Sequence, residues 1–175
     1  MSLFKESPDP APRAATPSAH PVLHMRFDGG SRGNPGPAGI GVTITTPPPT
    51  PQRIYELGEY LGRCTNNVAE YTALVRGLEA ALALGAHKVI VKADSELVVR
   101  QLAGQYRVKS PDLKPLYAKA IALMRQIGDV HVNHVYREHN GRADALANAA
   151  MDSLGKVEPL GPLPLPTRSI GEHRV

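Results

Sequence analysis

The chain has 175 residues, with 20 Lys and Arg against 16 Asp and Glu, so its formal net charge is +4. A single cysteine, Cys64, excludes a disulfide framework and a multi-thiolate zinc site, and no apolar run approaches the roughly 18 residues needed to span a bilayer. The mild basic excess permits a nucleic-acid partner without requiring one.

Residues 1–20, "MSLFKESPDPAPRAATPSAH", have no apolar core of a secretory signal and read as a disordered Pro- and Ala-rich extension, so the expected location is the cytoplasm. Three strand-like runs follow: "VLHMRFD", "GIGVTIT" and "RIYELGEYLG". Gly- and Pro-rich turns join them, which predicts an antiparallel meander. In "TNNVAEYTALVRGLEAALALG", Val68, Tyr71, Leu74, Val75, Leu78 and Leu82 recur at helical spacing. Thr65 or Asn66 can cap the start of that helix, and Gly85 follows its end. "KVIVKAD" reads as a short strand, "SELVVRQLAG" and "SPDLKPLYAKAIALMRQIG" as helices, "VHVNHVYRE" as a strand and "GRADALANAAMD" as a last helix. Residues 154–175 form a Pro-rich tail, leaving 21–153 as the folded domain. The order βββαβααβα predicts an α/β fold, a mixed five-stranded sheet with helices on both faces.

Four carboxylates fall at chemically interesting places on this outline. Asp28 and Asp94 end the first and fourth strands, where functional groups of open α/β sheets collect. Glu70 lies near the capped start of the long helix, and Asp144 in the first turn of the last. Each has a plain structural alternative: Asp94 as an N-cap, Asp144 as a dipole partner, Glu70 as a solvated helix residue, Asp28 as support for the glycine turn. If all four converge, cations or protons must offset their repulsion. An all-oxygen donor set selects hard ions, Mg²⁺ or Mn²⁺ before Zn²⁺. Paired hard ions suit in-line displacement at phosphorus. The loop "FDGGSRGNPGPAG" beside them offers bare backbone that a sugar 2′-hydroxyl can approach, and Asn34, Thr65, Asn66 and Asn67 add neutral partners for phosphates and base edges.

Other residues carry less. His131 and His134 are three apart on a strand and point to opposite faces. Glu96 turns away from Asp94, Cys64 lacks a nearby histidine motif, and Arg32 and Lys92 are candidates for attracting phosphate.

With these residues in place, the chain resembles the type 1 ribonuclease H family. The segments "FDGGSRGNPGPAG", "TNNVAEYTAL", "KADSELVV" and "REHNGRADALANAA" carry the resemblance, in family order and spacing. It implies a ribonuclease H-like fold and an endonuclease that cuts the RNA strand of RNA–DNA hybrids. Two metal ions, bound with the substrate, would give 3′-hydroxyl and 5′-phosphate ends. Asp28, Glu70, Asp94 and Asp144 match the family's catalytic and metal-binding quartet, with Asp28 bridging both ions. Gly29, Asn34, Thr65, Asn66 and Asn67 match its hybrid-contacting positions. No membrane, no small-molecule cofactor and a monomer are expected.

Two departures stand out. The basic, Trp-containing protrusion of longer bacterial members is replaced by "GQYRVKSPD", as in the family's shorter branch. The family's mobile histidine finds a counterpart only in His139, five residues before Asp144. A DNA nuclease or resolvase of the same fold, and a non-cutting module that binds hybrid or double-stranded RNA, are the competing readings.

Overall fold

The computed structural model describes residues 21–163. The N-terminal extension and the part of the expected tail from residue 164 onward lie outside the described residues.

The meander forms as the sequence predicts, with longer strands. Strand β1 is Val22–Ser31, β2 is Gly36–Thr45 and β3 is Arg53–Cys64, paired antiparallel in that order. Helix α1, Asn66–Ala83, crosses to β4, Lys88–Ala93, which pairs parallel to β1. Helices α2, Glu96–Leu102, and α3, Lys114–Ile127, lead to β5, Asp129–His134, parallel to β4. A 3₁₀ turn at Arg137–His139 precedes α4, Gly141–Ser153.

Three expectations need correcting. The sheet has six strands, not five: β6, Lys156–Val157, comes from the expected tail and pairs with the outer edge of β3, giving the order β5-β4-β1-β2-β3-β6. A two-residue strand is too short to leave a period in the sequence. Asp28 is not the end of β1, because Gly29, Gly30 and Ser31 continue the ladder opposite Ile40, Gly39 and Ala38. Helix α3 starts four residues later than the run beginning at Ser110 suggests, with Pro115 in its first turn, where the missing N–H has no helical partner to lose.

The alternation of β1 sorts its side chains between the two faces of the sheet. Leu23, Met25 and Phe27 are buried with Tyr71, Leu74 and Leu78 of α1, each such side chain contributing about 1.5–3 kcal/mol by leaving water. Tyr71 donates from its hydroxyl to Gln101 Oε1 at 2.7 Å, a buried bond that fastens α1 to α2. Helix α4 lies on the opposite face, over β2, β3 and part of β1. Its partly exposed Arg142 reaches the buried Glu56 of β3 through two bonds of 2.7 Å. Helices therefore cover both faces, as expected.

Candidate active site

Two close approaches bring the acidic residues together. A Cβ on Gly29 would lie 2.3–2.4 Å from the backbone of Ala69 and Glu70, so only glycine lets the start of α1 press against β1. On the other face, a Cβ on Gly41 would lie 1.8 Å from the Ala143 carbonyl oxygen. Gly41 sits opposite Asp28 in the β1–β2 ladder. Asp144, the residue after Ala143, is thereby carried to Asp28. These glycines serve packing between elements. Gly29 and Gly30 both line the cleft, but a Cβ on Gly30 would meet nothing nearer than Asn66 Oδ1 at 3.7 Å.

The four carboxylates line one cleft of about 440 Å³. Burial pushes the Asp28 carboxyl up to about 7, helped by the charges of Asp94 and Asp144, a hydrogen bond shared with Asp144, and the charge of Glu70. Protonation of Asp28, made easier by that raised pKa, would offset part of the repulsion. Glu70 is also raised, first by burial and then by Asp94, while the Ser95 hydroxyl opposes this by donating to its Oε2 at 2.8 Å. Ser95, not Asp94, is the N-cap of α2, accepting from Val98 N–H at 3.4 Å. The capping alternative for Asp94 is thereby removed, and its carboxylate is left to the cleft.

The substrate-side candidates form a neighbouring rim. Asn34 Oδ1 accepts from the Asn66 backbone N–H at 3.1 Å, and Asn66 Oδ1 accepts from the Ser31 N–H at 3.4 Å. This reciprocal pair ties the turn after β1 to the start of α1. Thr65 caps α1 by accepting from Val68 N–H at 3.2 Å, and Asn67 is exposed. Gly29 is buried against α1, which it admits, and its backbone also lines the cleft.

His139 does not line the cleft; it is exposed in the turn before α4, and its carbonyl accepts from Arg26. Arg137 from the same turn does line it, with Nη2 3.9 Å from Asp144 Oδ1. Sequence reasoning passes over Arg137 and Ser95, which no spacing rule singles out. Arg32 lines the cleft and pairs with Asp152 at 2.7 Å. Lys92 faces a separate pocket. His131 contacts Asp129 at 2.7 Å and His134 packs edge-on against Tyr136, so they form no joint site. Glu96 pairs with Arg100, consistent with a solvated role.

Among the described residues, no group of three or more His, Cys, Asp or Glu side chains is arranged to hold a metal ion. The donor set nevertheless fits a hard cation: oxygens alone, buried and crowded so that Asp28 is raised to about 7, and held from three separate elements and the end of β4. Positive charge among them would take the place of protonation at Asp28.

The sequence profile of the family described as "Reverse transcriptase-like" matches residues 26–150. The bifunctional protein Rv2228c of Mycobacterium tuberculosis is 48% identical over 132 residues, 75% of this chain and 36% of that protein. The chain thus spans about a third of the length of the first relatives it matches. Ribonuclease HI of Halobacterium salinarum is 43% identical over 130 residues, 74% of this chain and 64% of the relative. The structure of LC11-RNase H1 in complex with an RNA/DNA hybrid superposes with a TM-score of 0.71 at 43% identity, covering 75% of this chain and 98% of that one.

Proposed function

This chain belongs to the type 1 ribonuclease H family, and on that premise we propose that it is an endonuclease hydrolysing the RNA strand of RNA–DNA hybrids. The observation that carries the proposal is the convergence of Asp28, Glu70, Asp94 and Asp144 on one cleft, with Asp28 raised by burial and by its acidic neighbours. A relative of 43% identity is solved with an RNA/DNA hybrid, which favours hybrid as the substrate class.

In this reading the four carboxylates Asp28, Glu70, Asp94 and Asp144 would hold two Mg²⁺ ions, or Mn²⁺, when substrate is bound. Such ions supply charge neutralisation for in-line displacement at phosphorus. The protein's own groups do the rest. Asn34 and Thr65 hold a phosphate of the DNA strand, while Gly29, Asn66 and Asn67 face the RNA. Their geometry suits this: the Asn34–Asn66 bond leaves the Asn34 amide N–H₂ free to donate outward, and the Thr65 hydroxyl can donate while it accepts from the helix. Ser95 orients Glu70 through its 2.8 Å bond. Arg137, highly exposed and near Asp144, is placed to meet an incoming phosphate. His139, beside the same helix, would assist proton transfer or product release by turning toward the cleft. The products are 3′-hydroxyl and 5′-phosphate ends, and the protein acts as a cytoplasmic monomer.

The test uses one end-labelled RNA–DNA hybrid beside all-DNA and all-RNA duplexes of the same sequence, with Mg²⁺, with Mn²⁺ or with EDTA. Cutting confined to the RNA of the hybrid, and only with metal, is the expected result. Cleavage of the DNA duplex would instead favour a resolvase. Hybrid binding without cutting under either metal would favour a binding module.

A further inference from the structure

The sheet face that carries Asp28 is only partly covered, since α4 lies mainly over β2 and β3. Further back along the same face, β1 presents Arg26 and His24, and the parallel register pairs Arg26 with Lys92 and His24 with Ile90 of β4. On the other side of β1, Thr43 and Thr45 of β2 stand opposite Arg26 and His24. With Pro48 and Pro51 of the β2–β3 loop, these side chains enclose a pocket of about 170 Å³. The loop is tied across its base by Thr46 N–H to the Gln52 carbonyl and by Gln52 N–H to Thr46 Oγ1, both 2.9 Å.

No ion pair among the described residues involves His24, Arg26 or Lys92. Arg26 donates from Nη1 to the His139 carbonyl, which leaves its other N–H groups available. The three basic groups are close enough to feel one another: the His24 imidazole is held below its ordinary range first by burial, then by the positive charges of Lys92 and Arg26. Surface cations are normally spread out or paired with carboxylates. Here two permanent cations and a histidine share one walled pocket with no anionic partner among the described residues.

We propose that this pocket is a binding site for a phosphate-class anion, distinct from the acidic cleft. A tetrahedral oxyanion accepts from a guanidinium fork, an ammonium, an imidazole and hydroxyls at once, and that is the donor set on these walls. The volume is well below the roughly 300–1,000 Å³ of sites for drug-sized ligands. The pocket therefore takes a free oxyanion or one phosphate projecting from a larger molecule, with no room for a sugar and base as well. Arg26 and Lys92 lie two positions before Asp28 and Asp94, about 7 Å along the chain. A nucleic-acid strand leaving the cleft could supply such a phosphate, and free phosphate could equally do so. The site does not depend on what the acidic cleft cleaves.

The experiment follows the His24 imidazole signals of the full chain by NMR, with EDTA present, during titration with inorganic phosphate. A saturable shift is expected in the unmodified protein. It should weaken about tenfold or more in Lys92→Gln, which loses a charge-assisted bond. It should be unchanged in Lys88→Gln, whose ammonium is already paired with Asp129 at 3.0 Å. A second arm adds RNA–DNA hybrid: displacement of phosphate would assign the site to a strand phosphate, and coexistence would assign it to a free anion. No saturable shift at millimolar phosphate, or equal affinity in Lys92→Gln, would overturn the proposal.

Discussion

Strands β1 and β4 present two rows of opposite charge on one face, Arg26 with Lys92 and, two residues further on, Asp28 with Asp94. The acidic row lies in an open cleft of about 440 Å³ under α4; the basic row lies in a pocket of about 170 Å³ walled by prolines. Each row crowds like charges that no counter-ion among the described residues fully offsets, and each leaves its mark on a titrating neighbour. Asp28 is pushed up by burial and by carboxylates, and His24 is pushed down by burial and by cations. Glu56, also on the sheet, shows the opposite arrangement. It is buried, bonded by Arg142 and Arg53, and its pKa is lowered, first by the Arg142 bond. A buried charge that serves structure arrives with its partners. The two rows lack theirs, which is how a site awaiting a ligand differs from a fastening.

The largest effect expected from breaking this contrast is on catalysis. Asp28→Asn should lower cleavage of a labelled hybrid on the order of a thousandfold or more, as loss of a central catalytic group does, while hybrid binding survives and phosphate affinity at His24 is not weakened. Retained cleavage would remove Asp28 from the centre of the mechanism.

The two kinds of carboxylate should also respond to pH with opposite sign. Asp28 has a folded-state pKa of about 7 against an ordinary 3.8. It therefore favours the fold below about pH 4, and that contribution is lost as pH rises through 7. Each tenfold change in proton affinity is worth about 1.4 kcal/mol, so the loss amounts to a few kcal/mol at most. Metal-free Asp28→Asn should then be more stable than the unmodified chain at pH 8, with the gap closing toward pH 4. Denaturant titrations at the two pH values check this, and an equal gap at both would contradict it. Glu56 runs the other way: its lowered pKa stabilises above its ordinary 4.5, and the contribution is lost as acid protonates the folded carboxyl.

A smaller effect belongs to the fastening itself. Glu56→Gln removes the charge that holds Arg142 of α4 and should cost about 2 kcal/mol, the range for bonds to charged groups. Because α4 carries Asp144, cleavage should fall with it. A stability change without a change in cleavage would mean that α4 keeps its place by packing alone.

Much of this is legible in the chain. Alternation in "VLHMRFD" places His24, Arg26 and Asp28 on one face, and helical spacing with Thr65 as cap sets the long helix and Glu70 on it. The four family segments pick out the acidic residues without any geometry. The glycines are the harder case. The glycine-rich stretch after Asp28 reads as a turn, yet Gly29 lies in a strand because helix α1 crosses close above it, and Gly41, read in its strand, must be glycine because α4 crosses there; both reasons are tertiary. The basic pocket is invisible for a similar cause. Lys92 and Arg26 are far apart along the chain, and only the parallel register of β1 with β4 makes them neighbours. Strand β6 has no periodicity to betray it.

The most direct test of the central claim, that the acidic row is one site short of positive charge, is a Mg²⁺ titration followed by thermal unfolding at pH 8. Linkage requires any ion that binds only the folded state to raise its stability. Mg²⁺ should raise the melting temperature of the unmodified chain and do so far less for Asp28→Asn. Equal stabilisation of both, or none of either, would contradict the claim.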